Sequence, residues 1–236
     1  IGRALGPLLF FFVQFFWRPD GLSEQGVSAL AVALWVGAWW VTEAVPIAVS
    51  ALLPIILFPL SGALDLSATT VSYGHKYVFL YLGGFFLAIA IEKVNLHRRI
   101  ALAVISIIGT RMRMIVLGFM VATAFLSMWI SNTATSVMML PIGLAIVAQF
   151  RDHPDTPENE HEEFGKMLML AIAYSASLGG MATLIGTPPN LVLAGIVKEL
   201  YEVEINFLDW MLFAFPLSAL LLIICWVYLT RFAVKL

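Results

Sequence analysis

Long apolar segments follow one another along the whole sequence, with only a few charged residues between them. A helix needs about 20 mostly apolar residues to cross a bilayer, or about 17 at the short end. Charged residues make up 12% of the chain, which is about half the share typical of a soluble domain. The pattern predicts an all-α polytopic membrane protein with about six transmembrane helices. It excludes a soluble enzyme, a disordered tail and a nucleic-acid-binding protein.

The predicted spans are read from the sequence as follows: residues 4–17, 27–42, 46–60, 77–91 and 207–229, two arms at 114–130 and 137–150, and an interrupted stretch at 167–197. Ten of the thirteen Lys and Arg residues face the cytoplasm if Arg3 does and the loops alternate. This positive-inside bias predicts a cytoplasmic N-terminus, and we expect the protein to lie in the plasma (inner) membrane. The bias also requires both ends of 114–150 to face the cytoplasm, so the segment is either two full spans or a re-entrant hairpin.

A first polar island joins the two arms of that segment. It comprises residues 131–136, with Ser127 one helical turn before it. Polar backbone at membrane depth is tolerated where it is buried in protein or lines a wet cavity. One interpretation is therefore a buried hairpin tip. The alternative is an ordinary external turn between two full spans.

A second polar island interrupts the apolar stretch at 167–197 and extends from Ser175 to Asn190. Gly179 and Gly180 free the backbone from helical geometry. Pro188 and Pro189 lack N–H donors and suit the start of a new helix. The island predicts a half-helix, an unwound segment and a second half-helix. The alternative is a single kinked helix whose glycines serve close packing.

The two islands together indicate a transport site. Secondary transporters build their sites from discontinuous helices near the bilayer midplane. Half-helix N-termini present N–H groups to anions, and unwound carbonyls with side-chain oxygens replace the water around a hard cation such as sodium. Asn132 carries both an amide oxygen and an NH₂ group, so it suits either ligand.

Four stretches resemble the divalent anion/sodium symporter family, which includes sodium-coupled dicarboxylate and citrate transporters. They are residues 39–46 (WWVTEAVP), 96–102 (LHRRIAL), 131–135 (SNTAT) and 179–190 (GGMATLIGTPPN). The resemblance covers nearly the whole chain. It implies a first helix followed by the first of two inverted repeats, and hence one half of an elevator-type transporter. The chain also begins at Ile1 without an initiator Met, and we expect it to be a piece of a longer protein.

The resemblance also assigns site residues. It implies that sodium is bound by Ser127, Asn132 and the carbonyl of Gly180. It implies that a substrate carboxylate is bound by Ser131, Asn132 and Thr133, with Thr187 and Pro188 on the facing loop as weaker assignments. The coupling ion would be Na⁺, and the family works as a homodimer in the lipid bilayer.

By the same resemblance the chain divides into functional segments. They are scaffold helices at 1–95, an interfacial connector helix at 96–110, the re-entrant hairpin at 111–150, a cytoplasmic loop at 151–166, the broken helix at 167–200 and the last helix of the first repeat at 207–231. The hairpin and the broken helix belong to the transport domain. A loop with the composition of 151–163 suggests a metal site, but its spacing fits no zinc pattern.

Several functions remain open from the sequence. The first is sodium-coupled transport of a C4-dicarboxylate or citrate. The second is sodium-independent dicarboxylate exchange by the same fold, and the third is a non-transporting fragment, because the second repeat is missing. A hydrolase using Ser127 or Ser131 is disfavoured, because no His lies inside a predicted span to act as its base. We therefore predict that the protein is not an enzyme.

Overall fold

The computed structural model describes residues 2–19, 21–108, 111–151 and 158–233, and all regular elements it assigns there are helical. The helices are α1 (Gly2–Phe15), α2 (Glu24–Thr42), α3 (Ile47–Ser50), α4 (Leu53–Ser61), α5 (Leu66–Tyr73), α6 (Lys76–Lys93), α7 (Leu96–Ile108), α8 (Met112–Ser127), α9 (Asn132–Arg151), α10 (Glu158–Met181), α11 (Pro188–Tyr201) and α12 (Phe207–Tyr228), followed by a π-helical turn at Leu229–Ala233. Contacts divide the chain into two compact units, Ile1–Val78 and Phe79–Leu236.

Helical stretches of membrane-spanning length occur in both units. Five stretches of the described residues are long and apolar enough to cross a bilayer: Glu24–Thr42, Leu66–Lys93, Asn132–Gln149, Glu162–Met181 and Phe207–Ala233. Large apolar side chains point outward from the helices, as Phe213 does with 75% of its surface exposed. Such a surface suits lipid and not water. The predicted all-helical polytopic membrane fold is confirmed.

The first unit is built on the packing of α1 against α2. Gly6 of α1 faces the indole rings of Trp35 and Trp39, and a Cβ at this glycine would overlap with Trp35. Val13 of α1 and Ala31 of α2 belong to one small apolar core. Ser23 caps α2 by accepting a hydrogen bond from the Gly26 N–H at 3.1 Å. The lack of a side chain at position 6 therefore sets how closely the first two helices approach.

One helix of this unit is absent from the sequence prediction. The unpredicted helix is α5 (Leu66–Tyr73), which comes directly before α6. The predicted span at 77–91 corresponds to α6. Asp65 caps α5 by accepting from the Ala68 N–H at 2.6 Å. Its residues are mostly small or polar, so no apolar period marks it. Glu43 is the C-cap of α2 in the left-handed conformation.

The second unit has a core of tightly packed side chains from α8, α9 and α10, extended by α12. Its largest fully buried members are Phe119, Met120, Leu126, Met139, Phe164, Met167, Leu168 and Leu229. The backbones of α8 and α10 also meet, because a Cβ at Gly179 would overlap with the Ala124 main chain. Close approach through small residues is how membrane helices associate where hydrophobic exclusion of water is absent. The core therefore fixes α8 against α10.

The two interruptions read from the sequence are both present. The chain reverses between α8 and α9 at residues 128–131, and it leaves helical geometry between α10 and α11 at residues 182–187. The single kinked helix considered for 167–197 is therefore wrong. The predicted connector at 96–110 is helical as far as Ile108, and its last two residues lie outside the described residues.

The beginning of α10 differs from the predicted cytoplasmic loop at 151–166. The helix begins at Glu158, while residues 152–157 lie outside the described part of the chain. Lys166 lies 2.8 Å from Glu162 and 3.8 Å from Glu163, which precede it by four and three residues. Oppositely charged pairs at this spacing lie on one face of a helix and favour the helical conformation. The charged residues therefore extend α10 instead of forming a free loop.

Candidate functional site

Three oxygen atoms meet where the tip of the hairpin touches α10. The Ser127 hydroxyl lies 2.8 Å from Asn132 Oδ1 and 2.6 Å from the Ala176 carbonyl oxygen. Ser127 is fully buried in the last turn of α8, and Asn132 is the first residue of α9. The tight reversal between these helices places residues five positions apart side by side. The cluster of Ser127, Asn132 and the Ala176 carbonyl is called the tip triad below.

The tip triad has fewer protons than its oxygens can accept. A serine hydroxyl carries one donor proton, while amide and peptide carbonyl oxygens carry none. Ser127 therefore donates its proton either to Asn132 Oδ1 or to the Ala176 carbonyl oxygen. No proton then lies between the Ser127 oxygen and the neighbour that it does not donate to. Neutral oxygens in this arrangement are the ligand type that hard cations prefer. The residues present thus fit a cation with a low charge.

Gly180 completes this side of the site. It is buried in the last turn of α10, and a Cβ at its position would overlap with the Asn132 side-chain amide. Only glycine allows the amide to lie directly against the α10 backbone. The structure therefore brings together all three residues predicted to bind sodium, which are Ser127, Asn132 and Gly180.

Two hydrogen bonds tie the unwound segment to its surroundings. The Thr183 hydroxyl donates to the Met128 carbonyl oxygen at 2.6 Å, and it accepts from the Gly186 N–H at 3.0 Å. Met128 lies at the hairpin tip, so Thr183 links the tip to the break in the helix. Thr183 is itself fully buried. The two polar islands of the sequence therefore form one continuous structure.

The residues predicted to bind substrate lie at the edge of this structure. Ser131 is half-buried and precedes α9, where its hydroxyl accepts from the Ala134 N–H at 3.3 Å. Thr133 is exposed in the first turn of α9. A helix N-terminus with free N–H groups favours an anion. These hydroxyls therefore lie where a carboxylate would find both donors and a favourable dipole.

The second part of the predicted substrate site is less closely joined. Thr187 precedes α11 and is half-buried, and Pro188 is the first residue of that helix and is exposed. Within the part of the chain that the structure describes, the Thr187 hydroxyl makes no capping hydrogen bond. No hydrogen bond joins Thr187 or Pro188 to the described residues of the hairpin.

Two further hydroxyls near the triad have no hydrogen-bond partner within the described ranges. Thr123 lies one turn before Ser127, and Thr135 lies one turn after Asn132. Both are fully buried. Threonine in a helix commonly donates to a carbonyl one turn earlier, and neither of these does so. They add oxygen atoms to the helices that carry the triad.

Sequence reasoning missed three groups that build the site. The Ala176 carbonyl belongs to an alanine, so no side-chain signal marks it. Asn190 and Thr183 lie inside the second polar island, but no role was predicted for either residue. A polar residue in an otherwise apolar stretch is the signal that could have selected both.

Among the described residues, no group of three or more His, Cys, Asp or Glu side chains could hold a metal ion.

A family model described as the transmembrane region of sodium:sulfate symporters matches residues 4–234. The chain belongs to this family. The resemblance drawn from the four sequence stretches is thereby confirmed. Membership places this symporter-family chain among membrane transporters and not among enzymes.

Curated relatives agree with this placement. The chain is 46% identical over 237 residues to the sodium-dependent dicarboxylate transporter SdcS of Staphylococcus saprophyticus. It is 47% identical over 237 residues to the proteins of the same name from Staphylococcus aureus strains USA300 and COL. Each match covers 100% of this chain and 46% of the relative. The symporter-family chain thus spans about half the length of the curated relatives it matches.

Proposed function

We propose that this chain supplies half of the binding site of a secondary transporter that couples the movement of a C4-dicarboxylate or citrate to sodium ions. The observation that carries the proposal is the tip triad, in which neutral oxygens exceed the available protons. The name of the relatives supports sodium as the coupling ion and a dicarboxylate as the substrate, because it specifies sodium dependence and dicarboxylates. Sulfate, which appears in the family description, is the competing anion.

The proposed sodium site comprises Ser127, Asn132 and the Gly180 carbonyl. Ser127 contributes its hydroxyl oxygen and Asn132 its amide oxygen, which already lie 2.8 Å apart. Bound sodium would supply positive charge at the hairpin tip. The residues of the chain hold the oxygens close together before the ion arrives, because α8 and α10 are packed backbone to backbone at Gly179.

The proposed substrate site is the adjoining edge formed by Ser131, Asn132 and Thr133, faced by Thr187 and Pro188. Hydroxyl and amide donors orient one carboxylate, and the N-termini of α9 and α11 add their positive dipole ends. Such neutral donors bind an anion without a fixed positive charge, so its affinity depends on sodium bound beside it. This dependence is the physical basis for coupling.

The hairpin is proposed to be re-entrant. α8 has 16 residues and is about 24 Å long, short of the roughly 30 Å hydrocarbon core. Its tip is bonded to Thr183 in the break between α10 and α11, and this break divides the apolar stretch at 167–197 near its middle. The tip and the break therefore lie at one depth, which we place near the midplane.

The wider architecture follows as part of the same proposal. Residues 1–95 are mainly scaffold, and residues 96–110 form the connector. The transport domain consists of the hairpin at 111–150 and the broken helix at 167–200, and it moves by an elevator mechanism. Residues 151–166 are cytoplasmic, and 207–231 is the last helix of the repeat. The protein is a homodimer in the plasma (inner) membrane with its N-terminus in the cytoplasm. The positive-inside distribution of Lys and Arg supports this orientation.

Labelled-succinate uptake into proteoliposomes tests the function, using the full-length gene product. An inward sodium gradient is compared with an equal potassium gradient, without internal substrate. We expect accumulation with sodium only, and its loss in Asn132→Ala. Full activity of Asn132→Ala would contradict the site assignment.

The same assay separates the alternative functions. Sodium-independent exchange predicts uptake only into vesicles preloaded with dicarboxylate, whatever the cation. Sulfate transport predicts sodium-dependent uptake of labelled sulfate without uptake of succinate. Either result would overturn the proposed coupling or the proposed substrate, respectively.

A further inference from the structure

Asn190 connects the two sides of the break between α10 and α11. It lies in the first turn of α11 and is 7% exposed. Its side-chain Nδ2 donates to the Gly180 carbonyl oxygen at 3.0 Å and to the Thr183 carbonyl oxygen at 2.7 Å. A single amide group therefore holds a carbonyl of the last turn of α10 and a carbonyl of the unwound segment.

These two carbonyls need donors because the helix ends beside them. In an α-helix each carbonyl accepts from the N–H four residues later, and the carbonyls of the last turn lose that partner. α10 ends at Met181, so the Gly180 carbonyl belongs to this group. An asparagine amide carries two protons, one for each carbonyl. Asn190 thus replaces the missing backbone donors.

The Gly180 carbonyl is further restrained by Gly186. A Cβ at Gly186 would lie 2.5 Å from this carbonyl oxygen, so the loop backbone packs directly on it. Gly180 itself packs against the Asn132 amide. The carbonyl is therefore held by the loop, by Asn190 and by the geometry of its own residue.

We infer that Asn190 is a positioning residue for sodium: its amide fixes the direction of the Gly180 carbonyl, and it sets sodium affinity without touching the ion. A carbonyl oxygen has two lone pairs, so accepting from Asn190 leaves the second lone pair available to a cation. The inference rests on the proposed sodium site at Ser127, Asn132 and Gly180. It adds a residue outside that site that controls how well the site is formed.

Asn190→Leu tests the role, because leucine has a similar volume and no donor. Succinate uptake by the full-length gene product is measured across sodium concentrations at saturating succinate. We expect the half-saturating sodium concentration to rise about tenfold, from the loss of two hydrogen bonds worth on the order of a factor of 2–10 each. The maximal rate at saturating sodium should remain within about twofold of the wild-type value, because the chemistry of the ligands is unchanged.

Ser218→Ala is the matched control. The Ser218 hydroxyl on α12 donates to the Leu178 carbonyl oxygen at 2.6 Å, two residues before Gly180 in the same helix. Its removal deletes a part-buried hydrogen bond to α10 but leaves the hydrogen bond from Asn190 to the Gly180 carbonyl in place. We expect the half-saturating sodium concentration to stay at the wild-type value.

The outcomes separate this inference from the proposed function. A wild-type protein without sodium-dependent uptake removes the function and the inference together. Two results overturn the inference and leave the function standing when wild-type uptake depends on sodium. The first is an unchanged half-saturating sodium concentration in Asn190→Leu. The second is a loss of maximal rate alone in that variant. If Asn190→Leu does not reach the membrane, Asn190→Ala also removes both donors, and an unchanged half-saturating sodium concentration there contradicts the inference in the same way.

Discussion

Two buried clusters in this chain have the same chemical composition and different backbones. In the first unit, Ser28 contacts the side-chain amide of Gln14 at 3.2 Å and the Ser61 carbonyl oxygen at 3.0 Å. In the tip triad, Ser127 contacts the amide of Asn132 and the Ala176 carbonyl oxygen. Both serines are buried, with exposed fractions of 2% and 0%. We call the first cluster the Ser28 triad.

The hydrogen-bond donors close the Ser28 triad but leave the tip triad open. Gln14 Nε2 also lies 3.2 Å from the Ser28 hydroxyl, so the amide can donate to Ser28 while Ser28 donates to Ser61. The amide of Asn132 instead presents its oxygen to Ser127 and packs on Gly180. Gln14 lies inside an intact helix, whereas Asn132 starts one at a chain reversal. The comparison supports the proposed cation site, because oxygens are left in excess only at the triad where the backbone breaks.

Gly180→Ala should have the largest effect, because it removes the space that distinguishes the tip triad. The new Cβ would overlap with the Asn132 amide, so we expect sodium-dependent uptake to fall by about 100-fold or more, as for a displaced ligand set. Uptake of labelled succinate measures this. Gly37→Ala is the control, since a Cβ there meets nothing within 4 Å; equal activity of the two variants would contradict the assignment.

Ser127→Ala and Ser28→Ala compare the two triads directly. Removing the Ser127 hydroxyl deletes a proposed sodium ligand, and interactions of polar groups with charged groups are worth about 1.5–3 kcal/mol. We expect the half-saturating sodium concentration to rise by about 10- to 100-fold. Ser28→Ala should change it by less than about twofold. A comparable rise in both variants would show that the excess of oxygens at Ser127 has no bearing on sodium.

Thr183→Val tests the link between the hairpin tip and the break. The change keeps the side-chain shape and leaves the Met128 carbonyl and the Gly186 N–H without Thr183. We expect a loss of about 1–3 kcal/mol in stability, measured by thermal unfolding in detergent. Ser175→Ala removes a hydroxyl that bonds only within its own helix, to the Ala171 and Ile172 carbonyls. A larger loss in Ser175→Ala than in Thr183→Val would contradict the link.

Thr133→Ala should have the smallest effect, because Thr133 lies outside the triad and is exposed. One hydrogen bond to a carboxylate would be lost at a solvent-exposed position, so the half-saturating succinate concentration should rise by about 3- to 10-fold. Thermal stability should not change. Uptake at varied succinate and saturating sodium measures this change. If the half-saturating sodium concentration rises and the half-saturating succinate concentration does not, Thr133 would belong to the sodium site and not to the substrate site.

The helices and their interruptions could be predicted because they follow from local chemistry. Apolar segments of spanning length marked most of the helices, and Gly180 and Pro188 marked the two ends of the break. α5 was missed because its short, polar sequence lacks an apolar period. Its start depends on one cap, Asp65, which resembles any aspartate in a loop.

The site could be predicted only in part, because half of its groups are brought to it by contacts between helices that the sequence pattern does not show. Ser127, Asn132 and Gly180 were assigned through the family resemblance. The Ala176 carbonyl has no side-chain signal, and its role arises from α10 lying beside Ser127. Asn190 reaches a carbonyl ten residues earlier across an unwound loop, a distance that no helical period encodes.

The backbone contact between Gly179 and Ala124 has a mechanical consequence. Two helices that meet at van der Waals distance, with no side chain between them, cannot slide past one another without separating. Ser127 ends one of these helices, and Ala176 and Gly180 belong to the other. Any displacement across the bilayer must therefore carry both helices as one body, and the oxygens of the tip triad keep their mutual distances during that displacement. On the proposed function, release of a bound sodium ion would then depend on solvent reaching the cluster, and not on its disassembly.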